Sequence, residues 1–362
     1  MGSWADPGSA VAARRLLIVS SIRWNYLWQR HQALAVAAAN DGWQVDFLQP
    51  RPRTIRQVLT FPLRALRREV LTQDHGEPPL GVTILGPRHW LRPRARPSYD
   101  VALVYLPDRM TESFVLRNGV RKVIYDAVLD WSTVPSDWFP PLGWRSSERR
   151  IAGWAHSALA TDAEGMALVL ADRGYFAEVV PPAADDAFVE AENVADVDRK
   201  PRALYFGSVR PEVDVRALVA LRSSGVDVDV VGPVADSDLR TQLVEAGIKV
   251  GVPIGVAELA CLAATYRVIV LPYRGERAST LMPAKFWNCV ATGAWVVCKD
   301  LETPRLPTVR TTHSTEDFVT AVLEALDTPV EQSRSESPTW HTRWRRMLAI
   351  AGEVPREGPD NL

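Results

Sequence analysis

Leu16-Leu17-Ile18-Val19-Ser20 opens with an unbroken run of branched apolar residues, the pattern of a strand buried on both faces. A polar stretch from Ser21 to Arg30 follows. Gln32 to Ala39 is alanine-rich and is closed by Asp41-Gly42, which predicts a helix. Val45-Asp46-Phe47-Leu48 returns to strand. Strand, helix and strand in this order make a β-α-β unit, the seed of a parallel sheet. Further strands are predicted at Val82–Leu85, Val101–Tyr105, Lys122–Tyr125, Ala158–Thr161 and Ala177–Val180.

The rhythm breaks between Pro181 and Pro201, where prolines, alanines and acids alternate with weak periodicity. It then restarts. Ala203–Phe206 reads as a strand, Asp214–Ser223 as a helix and Val226–Val231 as a strand. Helices near Asp236–Ala246 and Ala257–Ala264 precede a strand at Val268–Leu271. A helix over Ala284–Thr292 and a strand over Ala294–Cys298 complete the pattern. Two doubly wound α/β domains in tandem place a ligand cleft between them, at the carboxyl ends of the strands. The expected division is 1–185, 186–335 and a closing helical stretch over 336–362.

Composition narrows the function classes. Forty-two basic residues nearly balance forty-three acidic ones, so charge gives no reason to expect nucleic acid. Cys261, Cys289 and Cys298 lie in apolar stretches, too few and too irregular for a disulfide framework, and read as reduced thiols. The first residues lack the charge-then-apolar order of a signal peptide. No apolar stretch approaches the ~18 residues of a membrane span. The expected compartment is cytoplasmic.

Charge is uneven along the chain. Ten arginines (51, 53, 56, 64, 67, 68, 88, 92, 94 and 96) face only Glu69, Asp74 and Glu77 between residues 50 and 98. The stretch Ile55 to Arg68 reads as a basic helix interrupted at Pro62. It suits peripheral contact with an anionic membrane, or contact with an anionic acceptor. It equally suits a solvated face.

Neither domain carries G-x-G-x-x-G or G-x-x-x-x-G-K-[ST] after its first strand, which argues against a dinucleotide enzyme and a P-loop nucleotidase. There is no G-x-S-x-G elbow, and the six histidines show no metal-ligand spacing. Residues 268–298 are the most informative. A strand ends at Leu271-Pro272, and a loop with Arg274, Glu276 and Arg277 follows. Ser279 or Thr280 can cap a helix whose first turn holds Pro283. Free N–H groups at Leu281 and Met282, with Lys285 in the first turn, would then form an anion site. The same pattern also fits an ordinary, well-capped α/β connection.

The segment resembles the donor-binding motif of the family 4 retaining glycosyltransferases, in particular the teichuronic-acid-type branch. The likeness covers Leu271-Pro272-Tyr273, Glu276, Pro283-Ala284-Lys285-Phe286, Ala291, Gly293 and Val296-Val297. Trp24 with Leu27-Trp28-Gln29-Arg30-His31-Gln32 resembles the family's W-x-x-L-W-Q-R-P-Q block. Tyr125-Asp126 through Asp130-Trp131 resembles its Y-D-x-x-D-D-W, and Leu204-Tyr205-Phe206-Gly207 with Asp214 its second-domain opening.

The resemblance implies the GT-B architecture: two doubly wound Rossmann-like domains facing a cleft, acceptor side first and donor-nucleotide side second, with the last helix crossing back. It implies a hexosyl- or deoxysugar-type transferase that retains configuration and needs no metal or separate cofactor. The donor is a nucleotide sugar, and the acceptor a glycan, a lipid-linked or a small molecule. By this likeness Lys285 and Arg210 meet the donor phosphates beside Gly207, Thr280 and the backbone at Leu281 and Met282. Glu276 faces the sugar hydroxyls and Asn288 the ribose. Asp126 stands near the acceptor or the reacting carbon, and Trp24, Arg30 and Gln32 line the acceptor side. Departures are Asn288 where the family has glutamate, Pro181-Pro182-Ala183-Ala184-Asp185 where it has P-N-G-V-D, and Arg210 as the nearest cation after Gly207. A non-catalytic homologue that binds a partner or sugar nucleotide is the main alternative, and a sugar-nucleotide epimerase of the same fold is a third.

Overall fold

The structure is a computed structural model that describes residues 13–51, 75–90, 99–133, 143–191, 198–234, 236–275, 280, 282–330 and 337–353. The arginine-rich helix expected over 55–68 lies outside them. The first sheet contains β1 (Arg15–Val19), β2 (Gln44–Leu48), β3 (Val82–Leu85), β4 (Val101–Val104), β5 (Lys122–Asp126), β6 (Ser157–Thr161) and β7 (Glu178–Val179). Its order is β3-β2-β1-β4-β5-β6-β7, with every pair parallel. The second contains β8 (Lys200–Phe206), β9 (Val228–Val231), β10 (Lys249–Gly251), β11 (Tyr266–Pro272), β12 (Trp295–Lys299) and β13 (Val309–Thr312). Its order is β10-β9-β8-β11-β12-β13, again all parallel.

Helices cover both sheets, as parallel strands require. In the first half they are α1 (Arg30–Asn40), α2 (Arg109–Arg117), α3 (Trp144–Ala152) and α4 (Glu164–Asp172). Then follow α5 (Asp186–Glu190), α6 (Val215–Ser223), α7 (Ser237–Glu245), α8 (Val256–Ala264), α9 (Phe286–Ala291), α10 (Thr315–Asp327) and α11 (Trp340–Ile350). The starts are chemically specified: Asp108, Asp214, Ser314 and Thr339 each accept a backbone N–H of the first turn they precede.

Period-two alternation explains the unbroken apolar strands. Leu16 and Ile18 of β1 enter the core on one face of the sheet, Leu17 and Val19 the core on the other. In β8, Leu204 and Phe206 face one side, Ala203 and Tyr205 the other.

The chain passes between the domains twice, and the two passages lie side by side. Ala184 N–H donates to the Pro338 carbonyl at 2.8 Å, and Ala184 pairs with Thr339 as an isolated parallel bridge. Beyond that bridge α11 returns to the first domain and packs along α1. Its apolar stripe of Trp340, Trp344, Met347 and Leu348 joins the core that holds Leu34, Ala38 and Trp43. The Trp43 and Trp344 rings meet edge to face at 5.3 Å.

Candidate functional site

Strand order reverses between β8 and β11, and such a switch point opens a crevice at the carboxyl ends of the strands. Gly207 leaves β8 there with φ of 104°, a backbone region that disfavours side chains. An added Cβ would lie 3.1 Å from Lys285 Nζ, so the glycine keeps the space the lysine uses. Lys285 Nζ donates to the Phe206 carbonyl at 2.5 Å and stands 3.8 Å from the centre of the Tyr205 ring. No carboxylate among the described residues forms an ion pair with it. Burial lowers its pKa to about 7, against the smaller opposing pull of Cys289 and Glu212. The cation is held on a ring face and a carbonyl, with no ion-pair partner among the described residues.

The path to this lysine differs from the sequence expectation. The helix begins at Phe286 and not at Ala284, with Lys285 itself as its cap residue. Pro283 and Ala284 therefore precede the helix, and its opening turn does not fall at Leu281 and Met282. Met282 is packed into the apolar core beside Phe286. Thr280 is half-buried, while Glu276 and Leu281 lie outside the described residues.

Arg210 follows Gly207 by three residues and reaches the other domain. Its Nη2 donates to the Tyr26 hydroxyl at 2.7 Å. It acts electrostatically on Tyr205 and Tyr273, the tyrosines at the ends of β8 and β11. Gly207, Arg210 and Lys285 are thus brought to one end of the second sheet.

Asn288 is occupied otherwise. Its Oδ1 accepts the Asp185 N–H at 2.7 Å and its Nδ2 donates to Asp185 Oδ2 at 2.8 Å. Asp185 Oδ1 accepts from Trp340 Nε1 at 2.7 Å and from Trp28 Nε1 at 3.2 Å. One carboxylate therefore joins the first domain, the second domain and the returning helix. Burial raises its pKa, partly opposed by the bonds from Asn288, Trp340 and Trp28.

In the first domain the candidate residues form a buried, largely polar floor at the carboxyl ends of its strands. Asp126, fully buried at the end of β5, takes both carboxylate contacts from Arg343 Nη2, at 3.1 and 3.0 Å. The same nitrogen donates to Asp162 at 2.9 Å, and Asp162 also pairs with Arg30. Burial pushes the Asp126 carboxyl up, while Arg343 pulls it down. Gln32 is fully buried, accepts the Gln29 N–H at 3.2 Å and donates to the Trp24 carbonyl at 3.0 Å. Trp24 packs edge-on against Phe47 at 5.2 Å. All four side chains are buried and engaged within the domain.

Arg343, Asp162, Tyr26 and the pairing of Asp185 with Asn288, Trp28 and Trp340 are absent from the sequence expectation. Arg343 carried a readable signal, since it interrupts the apolar stripe of α11, and a cation there needs buried acids. His31 and Tyr105 had none. Their rings lie 3.9 Å apart, and among the described residues His31 Nδ1 and Tyr105 Oη are buried without a hydrogen-bond partner. Among the described residues no group of three or more His, Cys, Asp or Glu is placed to hold a metal ion.

No family model matches the chain, and no curated protein matches it. Solved structures do match across nearly its whole length. A sucrose-phosphate synthase from Thermosynechococcus elongatus superposes with a TM-score of 0.58 at 12% identity, over 94% of this chain and 96% of that one. An alpha-glucosyltransferase solved with UDP-glucose and abasic-site DNA gives 0.56 at 8% identity, over 94% and 95%. AviGT4, a glycosyltransferase involved in avilamycin A biosynthesis, gives 0.52 at 14% identity, over 94% and 95%. Two parallel sheets, each with its own switch point and matched along their length by these structures, give this chain the GT-B fold.

Proposed function

We propose that this chain is a glycosyltransferase that moves a sugar from a nucleotide donor to an acceptor entering from the first-domain side. The observation that carries the reading is Lys285, a half-buried lysine with no acidic partner among the described residues, set against Gly207 at the second sheet's switch point. A departing nucleoside diphosphate develops charge that must be neutralised in place. Lys285 supplies a compact cation and Arg210 a second one, which is the chemistry of metal-free transfer. Retention of configuration, and a hexosyl or deoxysugar donor, are the finer form of the same reading. The acceptor is a glycan, a lipid-linked or a small molecule, and the arginine-rich stretch offers a cationic contact to an anionic acceptor or membrane surface.

Calorimetric titration with UDP, GDP, ADP and dTDP tests the reading. One of them should bind, and Lys285→Ala should weaken it by about 1–3 kcal/mol, the range for a charge-assisted contact. Turnover of the matching nucleotide sugar should survive EDTA. If no nucleotide binds at millimolar concentration, the reading fails. The engagement of Asn288 by Asp185 favours a second reading, a homologue that binds a sugar nucleotide without transferring the sugar. Binding with no turnover on any acceptor class would select it.

A further inference from the structure

We propose that Tyr26 is a positioning residue of the donor-diphosphate site, aiming the Arg210 guanidinium from the opposite domain; the inference rests on the reading of Arg210 and Lys285 given above. Tyr26 lies on the loop between β1 and α1, and Arg210 lies 184 residues later on the loop after β8. Their contact at 2.7 Å therefore links the loop after the first strand of one sheet to the loop after the first strand of the other.

The tyrosine is held firmly enough to aim something. Its N–H donates to the Arg23 carbonyl at 3.1 Å. Its carbonyl lies 2.5 Å from His75 Nε2. A carbonyl only accepts, so His75 carries its proton on Nε2 and donates it here. Two residues on, Trp28 donates to Asp185, and its ring meets the His75 ring edge-on at 5.2 Å. The phenol thus projects from a loop fixed on both sides.

The chemistry of the contact matters as much as its stiffness. An arginine is long and loses much rotamer freedom when ordered. Ordering it before the ligand arrives moves that cost out of the binding step. The phenol oxygen is neutral. It accepts one N–H from Arg210, adds no negative charge of its own, and keeps its O–H as a further donor. Removing the oxygen should therefore weaken binding of the diphosphate without touching the nucleoside. The link also makes a first-domain residue part of a second-domain site.

The test uses the full-length protein and whichever of UDP, GDP, ADP or dTDP binds wild type most tightly. Tyr26→Phe should keep the wild-type melting temperature and weaken that nucleoside diphosphate about threefold to tenfold, the range of a modest hydrogen-bond loss. The corresponding nucleoside should bind both proteins equally. In an Arg210→Ala background, Tyr26→Phe should add no further loss, because the tyrosine acts through the arginine. Equal diphosphate affinity for Tyr26→Phe and wild type would overturn the inference. So would the same loss in both backgrounds, or an equal loss for the nucleoside. In each of these cases, retained binding by wild type and weakening by Lys285→Ala leave the donor-site reading standing. Absence of any nucleotide binding by wild type removes both.

Discussion

Lys285 changes its charge near neutrality, and that makes its role measurable. In the unfolded chain a lysine titrates at its ordinary value, 10.5, while in the fold burial brings it to about 7. Between these values the unfolded state holds a proton that the folded state lacks. Stability must then rise with pH across this window and be lowest below 7. Lys285→Met removes the desolvated cation. The variant should be more stable than wild type at pH 6.5, and the gap should close towards pH 10, as read by urea denaturation. A bound diphosphate favours the charged lysine, so binding above pH 7 takes up a proton. Affinity should fall as pH rises from 7 to 9, by up to about tenfold per unit, and the fall should vanish in Lys285→Met. A flat profile in wild type would dissociate the lysine from the ligand. Asn288 allows a second test. Glutamate at this position would set a carboxylate against Asp185, whose own charge is already disfavoured by burial. Asn288→Glu should cost about 2–4 kcal/mol, as expected for an uncompensated buried charge. Protonation relieves the repulsion, so the loss should be larger at pH 8 than at pH 5 in thermal melts. A stable variant with improved nucleotide binding would show that Asn288 faces ligand and not Asp185.

At the scale of elements, strands and helices were legible because period two and period 3.6 survive in the sequence. The strand expected over Lys122–Tyr125 and the helix over Asp214–Ser223 appear within one residue. The helix over Ala284–Thr292 starts late because Pro283 is equally compatible with a turn, and because Lys285 bends inward to the end of β8. Side-chain partners were far less legible. Arg30, Gln32 and Asp126 have the chemistry of site residues, but chemistry does not reveal whether a group faces solvent or a partner 132 or 217 positions away. Long-range pairings of this kind are set by tertiary packing, the return of α11 included, which no local pattern encodes. The element-scale prediction follows. Arg343→Met keeps the volume of the side chain but leaves Asp126 buried without its cation. The variant should lose about 3–5 kcal/mol, the cost of breaking a buried pair from one side. Urea unfolding that matches wild type would mean the floor is not a structural unit.

Across the whole molecule, the tandem arrangement was readable from the interruption after Pro181, since a sheet cannot continue through a segment without a strand pattern. The doubly wound order of each sheet was readable in outline, because it follows from the β-α-β rhythm. What holds the two halves together was not. Tyr26 with Arg210, and Asp185 with Trp28, Asn288 and Trp340, join positions far apart in the chain. Among the described residues no helix is long and apolar enough to cross a membrane.

The order of synthesis gives the polar floor a further meaning. Asp126 and Asp162 leave the ribosome long before the cation they share, which follows 217 and 181 residues later. Until Arg343 emerges, the first domain has its sheet but only Arg30 to offset two buried acids. It must wait for the second domain to be made, and then for the final helix to return. The first half is therefore an unfinished body during translation, with the surface that receives α11 open to water. A chain stopped at residue 337 should show this lasting state: native-like helix content by far-ultraviolet circular dichroism, but broad thermal unfolding and binding of a hydrophobic dye. Adding residues 338–353 as a separate peptide should sharpen the transition. A truncated chain that melts as cooperatively as the full one would show that the first domain completes itself without its latest-made part.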